Sequence, residues 1–223
     1  MSFKYIFIRY NNLKLNLGED MNTIKLEDKL ITPSKVICIG RNYVDHIKEL
    51  NNEMPTDMVF FIKPNSCISD EIIFPKGNDS CHYEAEISFI IEDTKIVAVG
   101  FGLDMTLREV QSKLKAKGLP WERAKSFHNA AVFSDFVKIN DISNLSLQLE
   151  INGELKQEGG IDLMIHKPHE TITEALTFTY FEDGDILMTG TPKGVGSFNI
   201  GDTFVGRIID GKDVLLEKTF VVN

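Results

Sequence analysis

This sequence of 223 residues lacks the features of several large protein classes. No apolar run approaches the roughly 20 residues that cross a bilayer, so we expect no membrane-spanning helix. The N-terminal stretch MSFKYIFIRYNN has no long apolar core followed by a small-residue cleavage site, so we expect no export signal. Internal repeats, low-complexity stretches and linkers rich in proline and glycine are also absent from the sequence.

Cysteine and positive charge are both scarce. The three cysteines, Cys38, Cys67 and Cys81, form no CxxC pair, which favours free thiols in a reducing cytoplasm over a disulfide framework. The chain has 24 Lys and Arg against 33 Asp and Glu, a formal net charge of -9. This balance argues against nucleic acid and anionic membrane as partners, because both bind clustered Lys and Arg. An anionic small substrate is still compatible with it, since a local cation or metal reverses the local field.

Short strand patterns dominate the chain. Residues 35–40 (KVICIG) and the apolar run within 84–93 (EAEISFIIED) are typical of buried strands, whereas 106–118 (TLREVQSKLKAKG) is the clearest helix. Two further strand patterns precede a stop at Gly18-Glu19-Asp20. We therefore predict a β-rich α+β fold with a few short helices. It would comprise a small N-terminal β appendage at residues 1–30 and a larger domain at residues 31–223.

Two glutamates in the segment CHYEAE define the first candidate site. Glu84 and Glu86 are two residues apart on a predicted strand, so their side chains share a face. A solvated strand face is the simple alternative, but the strand continues into an apolar run, where paired carboxylates need a cation. With Asp104, which follows another strand, they would form an all-oxygen site for Mg²⁺, with Mn²⁺ or Ca²⁺ as alternatives. Zinc is a less favoured alternative, because the nearby His82 is a typical zinc ligand.

Three further sets of polar residues are candidates for the same site as the acid cluster. His46 and Glu49 are three residues apart and can meet on a helical turn, where the carboxylate would fix the imidazole tautomer for a general base. Two solvated groups on a short helix are the more common outcome for such a pair. Lys125, near the only tryptophan, could hold an oxyanion. The segment 188–196 (MTGTPKGVG) could cradle a carboxylate through backbone N–H groups, although alone it is a tight turn.

Taken in order, several segments resemble the fumarylacetoacetate hydrolase family, most closely its short acylpyruvase and oxaloacetate decarboxylase members. The resemblance covers about residues 35–222. The segments that carry it are IGRNYxxHxxEL, FFIKPN, HYEAEI, LDMTLREVQ, GLPWERAKSF, INGELKQEG and GDILMTGTPKGVGxxxxGD.

The resemblance implies a fold, a cofactor and a set of site residues. The fold would be a mixed β-roll or sandwich, the cofactor a divalent metal, usually Mg²⁺, and the assembly a homodimer. Residues take three roles by resemblance: metal ligands at Glu84, Glu86 and Asp104; catalytic groups at His46, Glu49 and Lys125; and a substrate-binding set at Lys63, Arg108, Gln111 and Thr191.

The chemistry expected from this resemblance is metal-dependent hydrolysis of a C–C bond in acylpyruvate-type 2-oxo acids, through a pyruvate enolate. Decarboxylation of oxaloacetate would leave the same enolate without attack by water. Isomerases and dehydratases of related 2-oxo acids form a second enzymatic alternative. A third alternative is a binding module in which the acids hold a structural cation.

Overall fold

A computed structural model of the chain describes residues 21–50, 53–77 and 80–223, and the structural statements below concern these ranges. The two strand patterns predicted within residues 1–20 lie outside them. In the described ranges, short strands greatly outnumber helices. The predicted β-rich fold with a few short helices is confirmed. No helix in this part of the chain is long and apolar enough to cross a membrane.

The strands are short and follow one another closely along the chain. In chain order they are β1 Ile24–Leu26, β2 Lys29–Ile31, β3 Lys35–Gly40, β4 Val59–Pro64, β5 Ile68–Ser69, β6 His82–Tyr83, β7 Ala85–Glu92, β8 Lys95–Asp104, β9 Ala131–Phe133, β10 Val137–Lys138, β11 Leu145–Ile151, β12 Glu154–Gly160, β13 Asp185–Met188, β14 Gly196–Ser197, β15 Thr203–Asp210 and β16 Asp213–Val221.

The helices are also short. The α-helices are α1 Val44–Glu49, α2 Arg108–Ala116, α3 Glu122–Lys125 and α4 Pro168–Ala175, and two single 3-10 turns lie at Asn65–Cys67 and Ile161–Leu163. The helix predicted from the pattern at 106–118 is therefore confirmed as α2. Its partly buried apolar residues Val110 and Leu114 pack on the main core, as their spacing predicted.

A mixed eight-stranded sheet forms the centre of the molecule, in the order β4-β3-β13-β7-β8-β9-β5, with β10 paired to β8. Two pairs, β13 with β3 and β5 with β9, are parallel, and the other pairs are antiparallel. Side chains cover both faces of this sheet, which is why β7 is buried along nearly its whole length and lacks an apolar–polar alternation.

A second, four-stranded antiparallel sheet has the order β12-β11-β15-β16. It packs on one face of the central sheet, and the larger hydrophobic core lies between the two sheets. Phe101 of β8 shows how close the approach is. A Cβ atom at Gly206 of β15 would lie 2.4 Å from the Phe101 ring, so only glycine fits there.

A smaller core covers the opposite face of the central sheet. The hairpin of β1 and β2 contributes Ile24 and Leu26 to it, and they pack with Ala131, Phe133 and Phe136. The only part of the predicted N-terminal appendage that lies in the described ranges is thus packed against the central sheet.

One hairpin turn sets the register on which the polar site depends. Asp93 and Thr94 join β7 to β8 with φ values of 46° and 59°, as a two-residue turn between right-twisted strands requires. From this turn the antiparallel pairing runs to Ala85 opposite Leu103 at the far end. The last residues of β8 therefore meet the first residues of β7 at one end of the sheet.

Candidate active site

Three acids meet at this end of the β7–β8 pair. Glu84 precedes β7, Glu86 lies within it, and Asp104 ends β8. The Asp104 amide donates a 2.8 Å hydrogen bond to the Glu84 carbonyl, which holds the two residues side by side. One carboxylate oxygen from each acid lies within 4.8 Å of the others, and all three residues are buried. The structure thus brings together the acids that the sequence analysis selected.

Three cations surround two of these acids. Lys125 Nζ lies 2.7 Å from Glu84 Oε2 and 2.5 Å from Asp104 Oδ2. Lys63 Nζ lies 2.8 Å from Asp104 Oδ1, and Arg108 donates a hydrogen bond to Glu84 Oε1. Burial by itself lowers the pKa of Lys125, but the carboxylates of Asp104 and Glu84 outweigh it and raise that pKa above its ordinary value. Lys125 is therefore an ammonium ion in the site.

The charges on the acids are unevenly balanced. Burial raises the pKa of Glu84, but the cations Lys125 and Arg108 outweigh it and bring that pKa well below its usual range. Glu86 has no ion-pair partner among the described residues. Burial, followed by the neighbouring carboxylates of Asp104 and Glu84, raises the pKa of Glu86 well above its usual range. Glu86 is thus the acid of the cluster whose charge no side chain in the described ranges compensates, and a bound cation would favour its ionised form.

These residues fit a divalent cation. Their donors are carboxylate oxygens, which Mg²⁺, Mn²⁺ and Ca²⁺ prefer. In residues 21–50, 53–77 and 80–223, Glu84, Glu86 and Asp104 form the one cluster of acid, His or Cys ligands able to hold a metal. His82, on which the zinc option depended, does not belong to that cluster.

The turn after β13 contacts carboxylates through its backbone. Gly190 N donates a 2.7 Å hydrogen bond to Glu86 Oε2, and Gly194 N donates a 3.0 Å hydrogen bond to Glu49 Oε1. Gly190 has a φ of 89°, and a Cβ atom there would lie 2.9 Å from Asn42 Cβ. Glycine is therefore required on both grounds. The carboxylates bound by this predicted cradle are those of the protein itself.

The predicted His–Glu pair forms within α1. His46 Nδ1 lies 3.1 Å from Glu49 Oε2, and His46 is 6% exposed. A carboxylate next to Nδ1 favours the tautomer with its proton on that nitrogen, which leaves the Nε2 lone pair free as a base. Since Glu49 also accepts the hydrogen bond from Gly194, one carboxylate joins the base to the turn after β13.

The predicted substrate-binding residues occupy two kinds of position. Arg108 Nη1 donates a 2.7 Å hydrogen bond to Gln111 Oε1 on α2, and both side chains line a cavity together with Thr191. Lys63 is instead fully buried beneath the acids, where its ammonium group also donates to the backbone carbonyls of Lys125 and Ala130. This geometry makes Lys63 a support for Asp104. Its substrate contact stays a prediction.

The cavity beside the acids has a volume of about 30 Å³. His46, Lys125 and the three acids line it. Its other wall is aromatic, with the Phe61 and Trp121 rings 6.2 Å apart. A polar centre next to apolar rings strengthens electrostatic contacts, because little water reaches the charges.

Sequence reasoning missed several residues of this site. The side chain of Gln157 is 1% exposed, and its Nε2 donates 2.8 Å hydrogen bonds to Thr191 Oγ1 and to the carbonyl of Pro192. Arg41 and Lys115 also line the cavity. Gln157 could have been selected from the sequence, because it is a polar residue at an inward-facing position of a strand. No comparable pattern in the sequence distinguished Arg41 or Lys115.

The chain is similar in sequence to a known protein family and to proteins of known activity. Residues 35–219 match the profile of the family described as fumarylacetoacetate (FAA) hydrolase, C-terminal. An oxaloacetate tautomerase of Escherichia coli (strain K12) is 38% identical over an alignment covering 76% of this chain and 85% of that protein. The mitochondrial oxaloacetate tautomerase of Homo sapiens is also 38% identical, with 84% and 90% covered.

Solved structures agree with this match. A crystal structure from Oleispira antarctica, described as a fumarylacetoacetate isomerase/hydrolase, has a TM-score of 0.86 and 36% identity, covering 91% of this chain and all (100%) of that one. Fumarylpyruvate hydrolase from Pseudomonas aeruginosa, crystallised with Mn²⁺ and pyruvate, has a TM-score of 0.83 and 27% identity, with 93% and 98% covered.

Proposed function

Because this chain belongs to the fumarylacetoacetate hydrolase family, we propose that it interconverts the keto and enol forms of a short 2-oxo acid of the oxaloacetate type. The relatives named oxaloacetate tautomerase support this reaction class. The observation that carries the proposal is the placement of a buried acid cluster beside an oriented His46–Glu49 pair in one cavity. Together they offer a cation site and a base, the two elements that enolisation needs.

Glu84, Glu86 and Asp104 would hold the metal, for which we propose Mg²⁺. When bound, a divalent cation supplies fixed positive charge that favours the negative charge developing on the 2-oxo group. Among the described residues Glu86 has no ion-pair partner, and this free position and the hard oxygen donors support the assignment.

In the proposed reaction His46 moves one proton. Its Nε2 atom takes the proton from C3 of the keto acid, and the same nitrogen returns a proton to the 2-oxygen to complete the enol. The reverse direction takes the proton from the enol oxygen and returns it to C3. Glu49 holds the imidazole orientation and stabilises the imidazolium formed in between. No C–C bond breaks, and nothing is oxidised or reduced.

Cations and polar groups of the chain would position the substrate. Lys125, an ammonium ion whose three donors are bound by Glu84, Asp104 and Thr106, would place its positive charge beside the enolate oxygen. Arg108 and Gln111, already joined by a hydrogen bond, would receive the carboxylate next to the 2-oxo group. Thr191, which also lines the cavity, would add a hydroxyl donor.

Deuterium uptake at C3 of oxaloacetate in D₂O, followed by proton NMR with Mg²⁺, tests this proposal. We expect the parent protein to accelerate uptake over the buffer rate and His46→Gln to lose most of this acceleration, about 10²-fold or more. His128→Gln is the matched control, because His128 is exposed and, among the described residues, its side chain has one hydrogen bond, to the carbonyl of Ser66. A parent protein that leaves the uptake rate unchanged would refute the proposal.

Hydrolysis of acylpyruvates is the second candidate. It is supported by the likeness to fumarylpyruvate hydrolase, and the free Nε2 of His46 suits activation of water as well as it suits removal of a carbon-bound proton. Release of pyruvate from acetylpyruvate is the readout for this reaction. Release of CO₂ from oxaloacetate reports the related decarboxylation. His46→Gln should abolish the hydrolysis and spare the decarboxylation, which needs no activated water.

We also propose a homodimer in a reducing cytoplasm. The exposed ring of Phe178 lies beside the edge strand β4, with its centroid 5.1 Å from that of Phe60, and the exposed ring of Tyr180 lies over Lys35 of β3. These exposed rings support self-association. All three cysteines are buried free thiols, which supports a reducing compartment. Light scattering after size-exclusion chromatography measures the assembly.

A further inference from the structure

Two cations in the wall of the cavity are not used by the acid cluster. Arg41 follows β3, and Lys115 lies in the last turn of α2. In the described residues neither side chain has a hydrogen bond or an ion pair, and Arg41 Nε is buried without a partner. Lys115 contacts only an aromatic ring, with its Nζ 4.8 Å from the centroid of Trp121. A buried donor without a partner is costly and calls for a ligand.

The other cations of the site differ from these two. Lys63, Lys125 and Arg108 are all paired with Glu84 or Asp104. The cations of the cavity therefore fall into two groups. Those among the acids have carboxylate partners, whereas Arg41 and Lys115 at the aromatic wall have none among the described residues. A substrate with one negative charge at each end would match this division.

The pKa of Lys115 also favours an anion at this wall of the cavity. Burial, together with the neighbouring cations Arg41, Arg108 and Lys125, lowers the pKa of Lys115 to about 8. Three like charges thus act on Lys115, and the carboxylate of Glu84 only partly offsets them. An anion bound between Arg41 and Lys115 would relieve this repulsion.

The backbone at Arg41 is also unusual. Its φ is 57°, in the left-handed region that a long side chain seldom adopts. Such a conformation costs on the order of 1 kcal/mol and persists where its surroundings enforce it. Asn42 provides that restraint, because its buried side chain donates 2.9 Å hydrogen bonds to the carbonyls of His166 and Thr189. The restrained backbone directs Arg41 into the cavity.

We propose that Arg41 and Lys115 form a subsite for the distal carboxylate of the substrate, which makes the enzyme selective for dianionic 2-oxo acids over monoanionic ones. This inference rests on the proposed function for the 2-oxo end of the substrate. Arg41 offers a planar pair of donors that suits a carboxylate, and Lys115 adds a point charge. The rings of Phe61 and Trp121 exclude water on the same side and strengthen both contacts.

Oxaloacetate and 2-oxobutyrate are a matched pair of probes, because the second has a methyl group in place of the distal carboxylate. Isothermal titration calorimetry with the Mg²⁺-loaded full-length protein gives the affinity for each probe, and deuterium uptake at C3 gives the reaction. The variants are Lys115→Met and Arg41→Gln. Lys113→Met is the control, since Lys113 is on the same helix with its side chain 74% exposed. Thermal melting checks that each variant is folded.

We expect the parent to bind oxaloacetate at least about tenfold more tightly than 2-oxobutyrate. Each variant should lose about tenfold in affinity for oxaloacetate and change its affinity for 2-oxobutyrate less than twofold, whereas Lys113→Met should change neither. Equal losses for both probes, or no preference in the parent, would overturn the subsite. A parent that prefers oxaloacetate but exchanges no deuterium would uphold the subsite and refute the proposed reaction.

Discussion

The amide of Gln157 holds the hydroxyl of Thr191 in place, with Gln157 Nε2 2.8 Å from Thr191 Oγ1. The same side chain accepts a 2.9 Å hydrogen bond from the amide of Ala85, between the two glutamates of the acid cluster. Gln157 therefore joins the strand that carries these glutamates to the turn after β13. Because Gln157 donates to Oγ1, the Thr191 hydroxyl acts as a donor, and in the structure it donates a long 3.4 Å hydrogen bond to the carbonyl of Pro192.

Replacing Gln157 by Leu should disturb both sides of this connection. The substitution leaves the buried Ala85 N–H without its acceptor, so we expect a loss of about 1–3 kcal/mol in the free energy of unfolding. The KM for the 2-oxo acid should also rise, because Thr191 loses its orientation. Urea unfolding and initial rates measure the two effects. Gln148→Leu is the control, since Gln148 bonds Glu158 at the surface and should cost less than about 0.5 kcal/mol. Equal effects from both variants would refute this role.

Replacing Lys125 by Met should destabilise the protein strongly. The ammonium group is buried between Glu84 and Asp104, and its removal leaves each of these buried carboxylates with one cation in place of two, at a cost of about 3–5 kcal/mol. Mg²⁺ should recover part of this loss by supplying positive charge to the same acids. Thermal melting with and without Mg²⁺ measures both effects. Lys95→Met, which removes an exposed pair with Asp93, should leave the melting temperature nearly unchanged. A small loss in Lys125→Met would mean that its charge is not needed.

Removing one acid of the cluster should abolish the stabilisation of the protein by Mg²⁺. In the parent protein, Mg²⁺ at 100 times its Kd should add about 2.7 kcal/mol to the free energy of unfolding. Asp104→Asn should lose this increment. Asp185→Asn is the matched control, because Asp185 is a buried acid that bonds Ser34 and Lys35 away from the cluster. It should lower stability yet keep the increment, and an increment that survives in Asp104→Asn would contradict the proposed metal site.

The stability of the protein should depend on Lys115 between about pH 8 and its unfolded pKa. Burial and neighbouring cations lower the pKa of Lys115 to about 8 in the folded protein, from an ordinary value of 10.5. Below pH 8 the side chain is charged in both states, and folding bears the full cost of that charge. Above pH 8 the unfolded chain binds more protons, so this group makes the free energy of unfolding rise with pH.

Denaturant unfolding from pH 7.5 to 9.5 tests this dependence. Lys115→Met should show a less positive slope of unfolding free energy against pH than the parent protein. Lys113→Met, from the solvent-exposed face of α2, should retain the parent slope. Identical slopes in the parent and Lys115→Met would show that the pKa of Lys115 is not lowered.

Local patterns were sufficient for much of the fold. The apolar run after Glu86 predicted β7, because a strand buried on both faces is apolar without a break, and the helical spacing of Val110 and Leu114 predicted α2. The i, i+2 spacing of Glu84 and Glu86 placed them on one face, because alternate side chains of a strand point the same way. The order of the strands in the central sheet was not predicted, because β13 inserts between β3 and β7 through pairing distant in the chain.

The sequence by itself determined the β-rich class, the family and the types of residue that gather at the site, because local periodicity and motif order depend on neighbours in the chain. Only the tertiary structure decided which charges are paired. Lys63 is buried under Asp104, whereas Arg41 and Lys115 lie unpaired at the aromatic wall. Pairing depends on the meeting of segments far apart in sequence and on the burial that follows, and neither can be derived from local spacing.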